Sequence, residues 1–408
     1  MFDQLTGLEP TTHLHHTRAD GGYADELDGD RRHYALGSGA VYERNLPPPG
    51  TFVIDPVAFA IRTSRNRKPN ATIAWPGYGA VAAQRIDAVG IVASIFLSFV
   101  GTITSPATAP VGTRAFPWNL IQQLIVSANG INNLFACEGA DLRALMRVRN
   151  APRMLFDRES SFVIPAATLT NPIALFWEIP LAFDESLAGS VFAQTEETFL
   201  NVQIQTNVAA NLFTVPANLL TVAGNFRLMV TFYSIPIVDS KQGRQLVLPD
   251  ITQLHGVVNR DDALTGAGQD HVAPLTRTGG ILLRSLQRFD NPVTAGTDIG
   301  TVDPAASLGA HKFRYGGNVV PIEWAPVSAL RVNNEMDYND AILPTIDAVS
   351  GGAAPAYLVD DFVVDSPMRD AIHMLGITEA QMVNSVNSGV TINAGAKVHT
   401  VQEAMVAS

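Results

Sequence analysis

The chain reads as an all-β protein divided into two domains. Three observations predict this: apolar residues recur at every second position, Gly and Pro interrupt the chain throughout, and 408 residues exceed one ordinary core. With 47% hydrophobic and 16% charged residues, and with 32 Gly and 25 Pro, the composition leaves little room for long helices.

Residues 1–50 stand apart, mixing acidic, basic, Gly, His and Pro residues and closing on Pro47-Pro48-Pro49-Gly50. This composition predicts an arm, flexible or ordered on assembly, with no signal-peptide-like apolar stretch. From Ala88 to Ile103 the apolar Val89, Ile91, Ala93, Ile95, Leu97, Phe99 and Ile103 occupy alternate positions, with Gly90, Ser94, Ser98 and Thr102 between them. Period two predicts a strand with one buried face, and the run is shorter than the ~20 residues of a spanning helix. Leu200, Val202 and Ile204 repeat the pattern, as do Phe226, Leu228, Val230 and Phe232. Weaker strand patterns cover Leu120–Ser127, Ile173–Ile179, Ile281–Phe289, Asn318–Trp324 and Val390–Asn393. Helical patterns are few: Ala140–Val148, Asp184–Ala193, and Ser366–Leu375 with Pro367 just inside its start. The polar run Asp239–Gln245 marks a domain boundary near the middle.

Charge and cysteine content narrow the function. A net charge of -11 argues against a surface built to neutralise phosphates, so sequence-specific nucleic-acid binding is not expected. The lone Cys137 forms no internal disulfide and fits folding in a reducing compartment as a small buried hydrophobe. Gly7 followed by His13-Leu14-His15 and Asp20 partly resembles the metal motif of cupins, because imidazoles two apart on a strand point the same way. The segment lacks a preceding strand, and Asp20 stands where Glu is expected, so a solvated tail is favoured over a bicupin-like metal site. Asp25, Glu26, Asp28 and Asp30 around Gly29 lack the spacing of a calcium loop. Glu178, Asp184 and Glu185 near Trp177 have the residue types of a glycosidase, but charges at a turn beside a core Trp are the favoured reading. No nucleophile elbow or Walker A loop is present. The cluster Arg62, Arg65, Arg67 and Lys68 reads as a solvated loop, with phosphate or lipid head-group contact as its alternative. No cofactor is called for, and the chain is not expected to be an enzyme.

One succession carries a family resemblance. Ile179-Pro180-Leu181-Ala182-Phe183 leads through Asp184, Leu187 and Gly189 into the alternating strand ending at Gln205. Phe116-Pro117-Trp118-Asn119, Leu246-Val247-Leu248-Pro249 with Leu254, and Phe289-Asp290 through Gly296 and Asp298 follow the same collinear order. Together they resemble the major coat proteins of tectiviruses, over roughly residues 88–300. The resemblance implies two tandem eight-stranded jelly rolls, 51–240 and 245–408, with short helices at Asp184–Ala193 and Ser366–Leu375. It further implies a pseudo-hexagonal homotrimer that tiles an icosahedral shell around an internal membrane enclosing double-stranded DNA. The implied partners are other trimers, minor capsid or vertex proteins, and the membrane through the N-terminal arm. The implied location is the virion capsid, with folding and assembly in the host cytoplasm. A β-rich carbohydrate-binding or adhesive protein is the remaining alternative.

Overall fold

The structure, a computed structural model, describes residues 52–87, 90–113, 115–128, 131–150, 164–183, 187–193, 200–213, 215, 217–240, 243–249, 251–264, 266–292, 307–316, 319–338, 357–364, 371–374 and 376–407. Strand β1 (Phe52–Ile54) runs into helix α1 (Pro56–Arg62). The helix starts there because the Asp55 side chain accepts from the Ala58 amide at 2.9 Å and Pro56 needs no amide partner. The first half continues with β2 (Arg65–Ala74), β3 (Val81–Ile86), β4 (Gly90–Thr104), β5 (Ile121–Ala128) and β6 (Ile131–Cys137). Helix α2 (Gly139–Asn150) follows, then β7 (Thr170–Pro180), β8 (Val191–Ala193), β9 (Leu200–Thr206) and β10 (Thr221–Tyr233). A hairpin of β11 (Ile237–Ser240) and β12 (Gly243–Leu248) leads to the second half. There lie β13 (Gln253–Ala263), β14 (Asp270–Pro274), β15 (Ile281–Asp290), β16 (Leu308–Tyr315) and β17 (Val319–Trp324). They are followed by helix α3 (Val327–Tyr338), β18 (Leu358–Asp361), β19 (Ile372–His373), β20 (Ala380–Val386) and β21 (Lys397–Ala407).

The two halves repeat one topology. In the first, β2-β10-β4-β7 form one sheet and β3-β9-β5-β6 lie together in another. In the second, β13-β21-β15-β18 and β14-β20-β16-β17 follow the same order. Each half therefore has the strand order of a jelly roll, two four-stranded layers facing each other. The short β8 and β19 both pair with the start of the third strand of their half, β4 and β15. Both helices, α2 and α3, lie between the fifth and sixth strands. The halves join edge to edge through a short parallel pairing of β6 with β13, Phe135 opposite Val257 and Ala136 opposite Val258.

The strong period-two patterns become central strands. Along β4, Ile95, Leu97, Phe99 and Ile103 are buried against Phe226, Leu228 and Val230 of β10 in the first-half core. The alternation does not hold along the whole strand. A bulge skips Ala93 between the Ser94–Thr231 and Val92–Phe232 pairs, so Ile91 and Ala93 turn to a second cluster with Phe59 of α1 and Val247 and Leu248 of β12. Leu97 is fully buried, and Leu97→Ala is expected to cost about 3 kcal/mol, measured by denaturant unfolding. A loss under about 1 kcal/mol would contradict this register.

In the polar run read as the boundary, Asp239 pairs with Arg244 and Ser240 with Gly243 in the β11–β12 hairpin, and β12 pairs in parallel with β1. Three sequence expectations are corrected. The described part of Asp184–Ala193 is not helical: 184–186 lie outside the described residues, Leu187–Ser190 form a turn, and Val191–Ala193 are taken up as β8 by pairing with Gly90–Val92. Ser366–Leu375 likewise holds β19 at Ile372–His373, while 366–370 and Leu375 lie outside the described residues. Val390–Asn393 is an irregular connection pinned by Asn291, which donates to the Thr391 carbonyl at 2.7 Å and accepts from the Asn393 amide at 2.8 Å. Of the expected helices, Ala140–Val148 forms within α2, and α3 was not expected from the sequence.

Candidate functional site: an ionic seam between the two halves

Helix α2 buries Leu142, Leu145 and Met146 toward the first-half core. The same helix turns charged groups toward the outer face of the second half's β13-β21-β15-β18 sheet. That face also contributes Val257, Leu286, Val359 and Val401 to the first-half core cluster, so apolar packing and charge share one seam.

At its first knot lies Asp141, fully buried. Its Oδ1 accepts from Arg288 Nη1 at 2.6 Å and from the Tyr357 hydroxyl at 2.6 Å. Its Oδ2 lies 2.7 Å from His399 Nε2 and accepts from the Glu138 amide at 3.2 Å, so one carboxylate both caps the helix and crosses the seam. Arg288 Nη2 also donates to Glu138 Oε2 at 2.8 Å and Nε to Asp290 at 3.2 Å, while His399 Nδ1 meets Asp261 Oδ1 at 2.5 Å. Burial alone would raise the Asp141 carboxyl, but His399 and Arg288 bring it down to about 2. Burial and Arg288 press the His399 imidazole down, yet Asp141 and Glu138 outweigh them and hold it at about 10. His399 is therefore a cation at neutral pH.

The second knot is Glu403 of β21. Arg149 of α2 donates to its Oε1, Arg284 Nη1 to its Oε2 at 2.9 Å, and His255 Nε2 lies 2.8 Å from Oε1. Burial would raise this carboxyl, and Arg284 and Arg149 hold it well below the usual range. For His255 the balance goes the other way: burial presses the imidazole below its ordinary value despite Glu403. Arg149 Nη2 continues to the Phe183 carbonyl at 2.6 Å and the Ala182 carbonyl at 3.2 Å, and His255 Nδ1 lies 3.0 Å from the Pro180 carbonyl.

Much of the motif that carries the family resemblance thus lies at this joint. Pro180 ends β7, Leu181, Phe183 and Leu187 are buried, and Gly189 has φ +82 and bridges Leu254 of β13. A Cβ on Gly189 would stand 2.5 Å from His255 Cβ, so only glycine allows β13 to approach so closely. Phe289 packs in the second-half core and Asp290 braces Arg288. Gly296, Asp298 and Asp184 lie outside the described residues, as do His13, His15 and Asp20. Glu178 is half-buried in β7, and Trp177 is a core residue donating to the Gly139 carbonyl at 2.9 Å. Cys137 is buried, and burial raises its thiol.

Glu138, Asp141 and His399 have metal-ligand chemistry and lie together. Both Asp141 oxygens are already engaged, Arg288 occupies the cationic position, and a protonated imidazole has no lone pair to give. The trio is an ion-pair knot: its work is to fix two rolls in one relative orientation. The sequence reading missed Asp141, Arg284, Arg288, His399 and Glu403. The signal lay in charged residues within apolar strand patterns, which remain buried only when paired.

No family model and no curated protein sequence matches the chain. Among solved structures, the crystal structure of the STIV major capsid protein superposes with a TM-score of 0.59 at 16% identity, covering 84% of this chain and 97% of that one. The structure of Sulfolobus Turreted Icosahedral Virus gives 0.58 at 16% identity, over 85% and 91% of the two chains. The PBCV-1 virus capsid gives 0.53 at 10% identity, over 84% and 93%. The likeness does not single out tectiviral proteins. The chain has the double jelly-roll fold shared by several viral capsid proteins.

Proposed function

We propose that the chain is a viral major capsid protein, a non-catalytic structural subunit that needs no cofactor. The observation that carries this reading is the doubled roll locked by a buried seam, matched over nearly the whole length of capsid proteins from two viruses. In this reading residues 51–240 and 245–408 form two eight-stranded rolls, and three copies assemble a homotrimer whose six rolls give a hexagonal outline. Such trimers tile an icosahedral shell around an internal membrane enclosing double-stranded DNA, with minor proteins at the vertices. A building block that must tile needs rolls that do not rock, and cross-seam ion pairs supply directional restraint that apolar packing lacks. Its place is the virion capsid, after folding and assembly in the host cytoplasm.

Electron microscopy of the purified chain tests this: particles with a hexagonal outline and sheets or shells built from them are expected, and uniformly small single particles under all assembly conditions would contradict it. Residues 1–50 act in this reading as an assembly arm contacting neighbouring subunits or the membrane. Removing residues 1–45 is expected to leave trimers intact while reducing shell yield at least about tenfold, a loss of about 1.4 kcal/mol or more in effective contact energy. Wild-type yields from the truncated chain, counted by microscopy, would remove the arm from assembly.

A further inference from the structure

The two halves share a topology but not a core chemistry. The first-half core is built from apolar residues such as Ile95, Leu97 and Phe99 of β4 and Val202 and Ile204 of β9, and the described residues of that half hold no histidine. The second half holds His255, His271, His311, His373 and His399. Along β20, Met382 belongs to one apolar cluster of the second half and Val386 to another, and Asn384 lies between them. In register with Asn384 stand His311 of β16 on one side and His271 of β14 on the other, with Trp324 of β17 beyond His311. A polar layer thus divides the second-half core. His311, Asn384 and Gln287 are fully buried, and Thr400 and Asp360 nearly so.

The layer is one hydrogen-bonded relay. His311 Nε2 lies 2.6 Å from Asp360 Oδ2, and Nδ1 lies 2.6 Å from Asn384 Oδ1. Asn384 Nδ2 donates to Gln287 Oε1 at 2.9 Å, and Gln287 Nε2 donates to Thr400 Oγ1 at 3.1 Å. The relay starts on β18, passes to β16 and β20 of the facing sheet, and returns to β15 and β21. Its direction fixes the proton. With an oxygen opposite each ring nitrogen, the imidazole satisfies both only as a cation, because a neutral ring has one N–H. Without that proton a ring lone pair faces an oxygen. Contact is then restored only if the Asn384 and Gln287 amides both turn over and Thr400 becomes the donor, so every link must change together in a close-packed interior.

Among the described residues Asp360 is the charged group that faces the imidazole. Strands β20 and β15 offer the neutral Asn384 and Gln287, β17 offers Trp324, and α3 beside β16 buries Val327 and Leu330. Beyond Asn384, burial holds His271 below its ordinary value, with Asp262 of β13 acting against it. Burial presses His311 down as well, but Asp360 and the hydrogen bonds to Asp360 and Asn384 outweigh it and hold the imidazole above its ordinary value.

We propose that this relay is a proton-operated latch: protonated His311 ties the two sheets of the second half together, and its deprotonation loosens that half while the first half stays closed. The latch belongs to the fold and does not depend on the capsid reading. Its stabilisation is complete below about pH 6.5 and is lost as pH rises through the raised value.

Hydrogen exchange of the full chain tests it, read by mass spectrometry at about pH 6 and about pH 9 and corrected for the intrinsic pH dependence of exchange. Amides of β16 and β20 are expected to lose protection at least about tenfold more than those of β4 and β9, one decade being what each unit of pKa shift supplies. His311→Gln, which cannot titrate, is expected to abolish this difference between the halves. Should that variant not fold, His311→Leu combined with Asp360→Leu removes charge and partner together and is expected to do the same. Equal loss in both halves would place the response at the seam, and no loss would leave the relay without one; either result overturns the latch. So does a difference that persists unchanged in the variants.

Discussion

Replacing Asp141 by alanine is expected to destabilise the chain by about 3 to 5 kcal/mol, the range for removing one partner of a buried ion pair. The size follows from what remains. Arg288 and His399 stay in the seam with their central counter-charge gone, the Tyr357 hydroxyl loses its acceptor, and α2 loses the carboxylate at its first turn. Urea unfolding followed by tryptophan fluorescence reads this directly, because Trp177 donates to Gly139 at the start of the same helix. Asp141→Asn is expected to lose nearly as much, since the amide keeps the shape and not the charge. Replacing Asp141, Arg288 and His399 together by apolar residues is expected to cost far less than Asp141→Ala, because no charge is then left unpaired. A loss below about 1 kcal/mol for Asp141→Ala would mean that water reaches the seam.

The second large effect is in alkaline solution. His399 titrates near 6.5 in an unfolded chain and about 10 in the fold. A raised pKa stabilises fully below the unfolded value, and that stabilisation is lost as pH rises from about 6.5 through about 10. At about 1.4 kcal/mol per unit, several kcal/mol of stability are expected to disappear across this window. The groups facing the imidazole are Asp141, Glu138 and Asp261 as anions and Arg288 and Lys397 as cations, and the guanidinium stays charged throughout. On the acid side Asp141 has the opposite sign: its contribution is present above about 3.8 and lost as pH falls through about 2. A stability plateau between about pH 4 and 6.5 is therefore expected, with a long alkaline decline that His399→Gln flattens. An equally steep decline in that variant, measured by thermal melts from pH 6 to 10, would assign the loss to another group.

The same physics explains what could be read from the sequence. Strands β4, β9 and β10 announced themselves because most of each packs one face into a core and presents the other to less crowded surroundings, which writes period two into the residue order. Strand β21 was missed for the opposite reason. Its order Lys397-Val398-His399-Thr400-Val401-Gln402-Glu403 looks polar, yet these residues are mostly buried, because the first half covers one face and the second-half core the other. Polar residues buried on both faces by tertiary contact leave no local pattern, so the β21 side of the seam gave no signal, and only Arg284 and Arg288 within the apolar run of β15 marked it. At Asp184 the acidic start resembled a helix cap, but the following Val191–Ala193 pair with the first residues of β4, so long-range pairing overrode a local signal. The resemblance motif at Pro180–Phe183 lies at the joint between the halves. Its contacts, the Phe183 carbonyl accepting from Arg149 of the same half and the Pro180 carbonyl facing His255 across the seam, need the fold to be seen.

The most direct test of a trimeric coat subunit is the mass of the purified full chain in solution, by light scattering at micromolar concentration in mild salt. A stable species of three times 43.7 kDa is expected. A single species of 43.7 kDa at every concentration would contradict the account.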